Sequence, residues 1–392
     1  MSGPAETIAR RQAWEPLLAA AIVGALAGLY GWALFVLSFR HDGLIGPRFN
    51  APGLDFTVFW QGAREALSGD LGQLFDGARF TATLNQEFAA WLSAPLPLHP
   101  WIYPPHFLLL LLPVGLLPFP AAYALFLAVT FALAAVALLA GERGLRCMIL
   151  GSALALAPGT ALTAITGQNA FLTAALLVGG FRLIGARPML GGALLGVLTV
   201  KPQLFLMVPV ALVAAREFRA LGACVLAAAS LVVASVLLFG WAPWQAWLGA
   251  VLGPGNELHR GWTKLSLLWG ESVYTDALLL GARSYAAAAS QGLATLLAAA
   301  AVARASKNLA VVLAATVLAA PHVAPYDTIL LAIAAALFFA RGIERGMRSF
   351  ELPLALMLWL AALYGPPILS PAGFLPPLLI LAFLARSVAQ PP

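Results

Sequence analysis

Long apolar runs, separated by short polar clusters, set the rhythm of this chain. "LFLAVTFALAAVALLA" (125–140) is typical, with no two-residue alternation of polar and apolar positions. Continuous runs of this kind predict membrane-crossing helices; an outer-membrane barrel would alternate. The pattern predicts apolar helices over 17–37, 125–140, 147–163, 168–181, 188–200, 202–215, 220–240, 284–303, 308–320, 326–340, 351–364 and 372–386. Several are short for a crossing, so helix breaks or local thinning are expected. The piece 105–117, interrupted by Pro113 and followed by Pro118 and Pro120, predicts a re-entrant helix that returns to the face it left. Two polar, aromatic-rich stretches, "GLDFTVFWQGAREALSGD" (53–70) and "FDGARFTATLNQEFAAWL" (75–92), predict amphipathic helices lying on the membrane surface. The reading is an all-α polytopic bundle of about 12 crossings. It forms one integral membrane domain over 1–392, with no internal repeat.

Composition agrees. The chain is 61% hydrophobic and only 10% charged, and no soluble domain of this length looks like that. Its net charge of +6 would suggest nucleic acid in a soluble protein. Here no Lys/Arg block carries interleaved aromatic residues, so nucleic acid is excluded as a partner. The basic residues fall instead in short loops: 141–146, 182–188, 216–219, 304–307 and 341–348, with Arg386 near the chain end. Such loops are expected on the cytoplasmic side. Arg10 and Arg11 precede the first apolar run, which is too long for a signal peptide and lacks a small-residue cleavage site. It reads as a retained first helix with both termini inside. Cys147 and Cys224 each lie in or beside an apolar run; they read as packed thiols, not as a disulfide or metal site.

Alternation then places another set of linkers on the outer face of a cytoplasmic (inner) membrane: 39–103, "TGQNA" (166–170), "VKPQ" (200–203), 240–276, "PHVAPYD" (321–327) and 365–373. Prolines, aromatic residues and the rarer polar residues gather there, so chemistry is expected there. Asp55 leads, since an ionisable residue at a bilayer edge is a functional candidate by default. It equally suits the first turn of a helix as a cap. Lys201, against the positive-inside trend, either binds an anion or snorkels to the headgroups. His322 is an interface histidine or a donor to substrate; Asp327 holds His322, binds a sugar hydroxyl or caps the following helix. Gln168 and Asn169 can read sugar hydroxyls or cap a helix. His99 and His259 carry little signal, and His106 follows "YPP" closely enough to face the same site. Glu271 and Asp276, in "WGESVYTD", are candidate acceptor contacts, and Arg260 and Lys264 candidate headgroup or phosphate contacts. No HxxH, HExxH or paired-carboxylate spacing marks a metal site, so no metal and no cofactor is expected.

Taken in order, these residues resemble a family. Asp55, Val58, Trp60, Ala63, Leu67 and Gly69, then Tyr103–Pro104–Pro105, then Gly167–Gln168–Asn169, then Lys201–Pro202, then Pro321, His322, Tyr326 and Asp327 follow the motif order of the polyprenol-phosphate-mannose-dependent α-mannosyltransferases. That family is glycosyltransferase family 87-like and belongs to the wider GT-C class. The resemblance spans most of the chain, but 40–53 and 240–276 have no counterpart in it. It implies a GT-C-type bundle that moves a hexose, mannose by resemblance, from a polyprenyl-phosphate donor to a lipid or glycan hydroxyl at the outer face. It implies inversion with Asp55 as general base, since one carboxylate suffices for that displacement. Lys201 and His322 would hold the donor phosphate. Gln168, Asn169, Tyr103, His106, Tyr326, Asp327 and Trp60 would contact sugar or acceptor. A lipid or glycan transporter is the rival reading; it predicts ionisable residues inside helices and related halves, and neither pattern is present.

Overall fold

The computed structural model describes residues 4–39, 52–92, 94–252, 267 and 269–389, with side chains for all of these except 4–14 and 252. Most of 40–53, together with His259, Arg260 and Lys264, lies outside the described residues. Among those described, every regular element is a helix and there is no strand. A bilayer leaves the backbone no water to bond with, and a helix satisfies its N–H and C=O groups internally.

In chain order the helices are α1 (Pro4–Ser38), α2 (Leu54–Ser68), α3 (Gly77–Glu87), α4 (Phe107–Gly115), α5 (Phe119–Leu139), α6 (Gly144–Leu156), α7 (Pro158–Thr166), α8 (Ala170–Leu183) and α9 (Pro188–Val197). There follow α10 (Pro202–Phe205), α11 (Met207–Ala214), α12 (Phe218–Phe239), α13 (Ala242–Leu252), α14 (Val273–Leu279), α15 (Ser284–Arg304), α16 (Leu309–Ala319), α17 (Ile329–Arg345), α18 (Glu351–Trp359) and α19 (Leu375–Val388). Six stretches are long and apolar enough to cross a membrane: Glu15–Ser38, Phe119–Leu139, Phe218–Phe239, Ser284–Arg304, Pro325–Arg345 and Pro371–Val388. The protein is a multi-pass helical membrane protein. Helix length alone does not establish the expected count of crossings, because Ala170–Leu183, Pro188–Val200, Pro202–Ala214 and Leu309–Ala319 are shorter apolar helices.

Some expected segments are broken or shortened. The run 147–163 is not one helix but α6 and α7, bent by 45°. Pro158 causes the break: it has no N–H to give the preceding turn and forces Ala157 to an extended ψ of 133°. The piece 105–117 folds as α4, nine residues with Pro113 inside. That is too short to cross alone, and it packs against α2. The two amphipathic stretches do fold as helices, α2 and α3. Asp76 caps α3 by accepting from the Arg79 N–H at 3.1 Å, and Gly69 ends α2 with φ 79°.

Two cores are built differently. The transmembrane core is rich in Ala, Leu and Val on α8, α16 and α17. Association inside lipid depends on close approach, since lipid tails are as apolar as the helices. Gly192 and Gly196 of α9 show this: a methyl group there would stand 2.0 Å and 2.3 Å from the backbone oxygens of Ala220 and Cys224 on α12. Cys224 is thus a packing residue, and both cysteines are free thiols. The second core gathers α2–α5 around Phe56, Phe59, Trp60, Trp101, Phe107 and Phe119. Leu127 and Leu172 pack against both cores and so tie them together.

The ends of the bundle also differ. Helices α8, α16 and α17 each run between a polar break and a basic turn. One end holds Asn169, Ala320–Val323 and Asp327; the other holds Arg182, Lys307 and Arg341. At 1.5 Å per residue the two ends stand about 16–26 Å apart along these helices.

Candidate active site

The start of α2 is pinned to the end of α7. Gly53 adopts φ 68° and its N–H donates to the Ile165 carbonyl at 2.7 Å. Gly167 closes α7 with φ 75°, where a side chain would meet the Phe56 Cβ at 2.5 Å. The two tight turns therefore lie against each other, and this sets Asp55 opposite Gln168.

Asp55 is not a side-chain cap. Gly53 occupies the cap position with no side-chain hydrogen bond, and the donor to the Asp55 carboxylate is Gln168, not its own helix. Its Oδ2 accepts from Gln168 Nε2 at 3.1 Å, and its Oδ1 stands 3.8 Å from His99 Nε2. Burial raises the Asp55 carboxyl above the ordinary range, opposed by the neighbouring His99, by the Gln168 hydrogen bond and by the Lys201 charge. Just under a quarter of the side chain, 23%, is exposed, so the carboxylate remains reachable.

From Gln168 a chain of hydrogen bonds continues. Its Oε1 accepts from the Tyr103 hydroxyl at 3.1 Å and from the Asn169 N–H at 3.2 Å. Asn169 stands at the cap position of α8, yet its side chain does not cap. Its Oδ1 accepts from Lys201 Nζ at 3.2 Å. Lys201 is 2% exposed and does not snorkel. Pro202 breaks the apolar run and leaves Lys201 at φ −130°, ψ 74° between two short helical turns. The ammonium points inward, donating to Asp327 Oδ1 at 2.5 Å and lying 5.1 Å from the Tyr326 ring. Asp327 thus pairs with Lys201; its Oδ2 accepts from the Ala324 N–H at 3.3 Å. Two donors remain over: the third N–H of Lys201 and the Asn169 amide, whose Nδ2 is buried without a partner.

A strap completes this end. Glu271 N–H donates to the Val323 carbonyl at 2.8 Å and Ser272 Oγ to the Pro321 carbonyl at 2.7 Å. The two bonds flank His322, which lies edge-on to Tyr274 with ring centres 6.4 Å apart. Glu271 is 3% exposed and both its carboxyl oxygens lack partners. Burial, then the charges of Asp276 and Asp327, push it well above the usual carboxylate range, and burial pushes Asp276 up to about 7. Burial thus favours the uncharged form of both carboxyls, which lessens the repulsion this polar end offers an anion. His106 lies further along the wall: its Nε2 meets Thr199 Oγ1 at 3.2 Å, its ring stacks on Trp244, and burial lowers its pKa to about 4.

Asp55, Gln168, Asn169, Tyr103, Lys201, Tyr326 and Asp327 are thus brought together. Trp60 is not. It sits five residues after Asp55, about 140° round the helix. Its Nε1 donates to the Leu117 carbonyl at 2.8 Å, and its ring packs on Phe88 and Phe119. His99 is at the site although nothing in its sequence context marks it; only the fold carries it to Asp55. Among the described residues no group of three His, Cys, Asp or Glu could hold a metal ion.

A family model of glycosyltransferase family 87 matches residues 101–325, more than half of the chain. The chain belongs to glycosyltransferase family 87. No curated protein and no solved structure matches it. As a member of family 87 it is a membrane glycosyltransferase, with a sugar donor and an acceptor as substrates. The match takes in Tyr103, Gln168, Asn169, Lys201 and His322. Asp55 and Asp327 lie outside it and are joined to it by the hydrogen bonds above.

Proposed function

We propose that this family 87 enzyme transfers a hexose, mannose by resemblance, from a polyprenyl-phosphate donor to a hydroxyl of a lipid or glycan, with inversion, at the outer face of the cytoplasmic membrane. Asp55 takes the acceptor proton as the acceptor oxygen attacks the anomeric carbon from the side opposite the phosphate. The bond between anomeric carbon and phosphate oxygen breaks, and the lipid phosphate leaves with the bonding electrons. Lys201 and His322 meet that leaving charge. Gln168, Asn169, Tyr103, Tyr326 and Asp327 hold the sugar and orient the two ends of the reaction; His106 stays neutral beside them, and Glu271 and Asp276 contact the acceptor.

One observation carries this reading. A reachable carboxylate and a buried ammonium, supplied by helices distant in sequence, are linked through adjacent side chains, Gln168 and Asn169. A base and an anion-binding cation a few hydrogen bonds apart are what a single displacement between hydroxyl and phosphate ester requires.

The test is a radiolabelled transfer assay in membranes, offering polyprenyl-phosphate mannose against nucleotide sugars, with wild type and Asp55→Asn. Transfer is expected from the lipid-linked donor only. Asp55→Asn should fold, because Asn still accepts a hydrogen bond from Gln168, and should lose about 10²–10⁴-fold in rate. Near-normal turnover in that variant would remove Asp55 as base, and transfer from nucleotide sugars alone would overturn the donor.

A further inference from the structure

At the end of the bundle away from Asp55, turns far apart in sequence close around one cavity of about 400 Å³. Glu142 comes from the α5–α6 turn, Arg146 from the start of α6, Arg182 from the end of α8, Glu217 from the α11–α12 turn, Lys307 from the α15–α16 turn and Arg341 from α17. These are five of the basic loops that the sequence alone puts on the cytoplasmic side. Four cations face two carboxylates. Half of the wall is fixed: Glu142 accepts from Arg146 Nε at 2.7 Å and from Arg182 Nη1 at 3.0 Å, and Arg182 also holds the Leu138 and Ala140 carbonyls. The other half is uncommitted. Lys307 and Arg341 are exposed and make no ion pair among the described residues. Phe181, Leu212, Leu309 and Leu337 supply apolar lining.

We propose that this cavity is a second ligand site, which takes the phosphate of an anionic lipid headgroup from the inner leaflet. The volume falls within the range of small-ligand pockets, roughly 300–1,000 Å³. Cations at the ends of crossing helices stand at headgroup depth, and basic pockets between transmembrane helices on that side suit phosphate headgroups. The apolar lining favours a lipid over a free anion, since it gives the first carbons beyond the phosphate a dry surface. The site does not depend on the transfer chemistry proposed above.

Full-length protein in neutral detergent, titrated with phosphatidylglycerol or phosphatidylcholine and read by native mass spectrometry, tests this. Phosphatidylglycerol should bind and phosphatidylcholine should not. Lys307→Gln/Arg341→Gln should weaken phosphatidylglycerol binding about 30-fold, the weight of two cations at the membrane surface. Lys307→Arg/Arg341→Lys should keep it, and controls for folding. Arg187→Gln, an exposed cation outside the lining, should leave binding unchanged. Undiminished binding in the double Gln variant, or equal loss in Arg187→Gln, would overturn the site. Displacement of the lipid by millimolar inorganic phosphate would overturn the lipid assignment.

Discussion

Helix α17 (Ile329–Arg345) has a buried ionic cluster at each end, and the two are built to opposite rules. At its finish, Glu351 is fully buried and saturated. Its oxygens accept from Arg345 Nη2 at 3.1 Å, from the Arg348 N–H at 3.1 Å and from Arg386 Nε at 2.7 Å. At its start, Lys201 is equally buried but meets one carboxylate and one amide. An ammonium donor and the Asn169 amide are left over. A saturated cluster fastens helix ends and has nothing to offer a ligand. One with spare donors keeps a desolvation cost that a substrate can offset.

The contrast is broken most severely by mutating one partner of each cluster. Lys201→Ala should cost about 3–5 kcal/mol of stability, because it strands Asp327 in the interior. It should also cost about 10²–10³-fold in transfer per folded molecule, the usual loss when a donor to developing charge is removed. Glu351→Gln should cost a similar share of stability but leave turnover per folded molecule unchanged. The double variant Lys201→Met/Asp327→Leu separates the roles at the active end: thermal stability in detergent should largely recover while transfer stays lost. Recovery of both would make the pair structural only, like its counterpart at Glu351.

Sequence disclosed the two ends more readily than their workings. Helical class, the basic turns and the polar breaks all follow from runs, prolines and arginines, because a bilayer imposes those patterns on any chain that crosses it. The partners did not follow. Lys201 reads equally as a residue that snorkels, and nothing in the chain pairs it with Asp327. Only the fold carries Asp327, just before α17, to the Lys201 break. His99 gives no local signal, since contacts between distant loops leave no spacing in the chain.

The raised carboxyls sharpen the comparison through pH. As the proposed base, Asp55 would have to be ionised to act, so transfer should fall on acidification with a midpoint above the ordinary Asp range near 3.8. Stability moves the other way. Asp276 binds its proton more tightly folded than unfolded, so its contribution is full below pH 3.8 and is lost as pH rises towards about 7. Asp276→Asn should flatten that slope in a melting series without moving the acidic limb of the rate profile. A limb that moved with Asp276→Asn would give the proton transfer to Asp276.

The smallest expected effect concerns Trp60, the one expected sugar contact that packs away from the others. Trp60→Phe keeps most of the ring contact with Phe88 and Phe119 but removes the donor to Leu117 and weakens the surface that Arg64 covers, 4.6 Å from the ring centre. A neutral hydrogen bond contributes about 1 kcal/mol net, and an exposed cation–ring contact about 0.5–1 kcal/mol. Stability should therefore drop by roughly 1–2 kcal/mol, with donor KM and turnover per folded molecule unchanged. If donor KM rose several-fold while the melting temperature held, Trp60 would be in reach of the sugar after all. The aromatic core under α2 would then belong to the active site and not to its foundation.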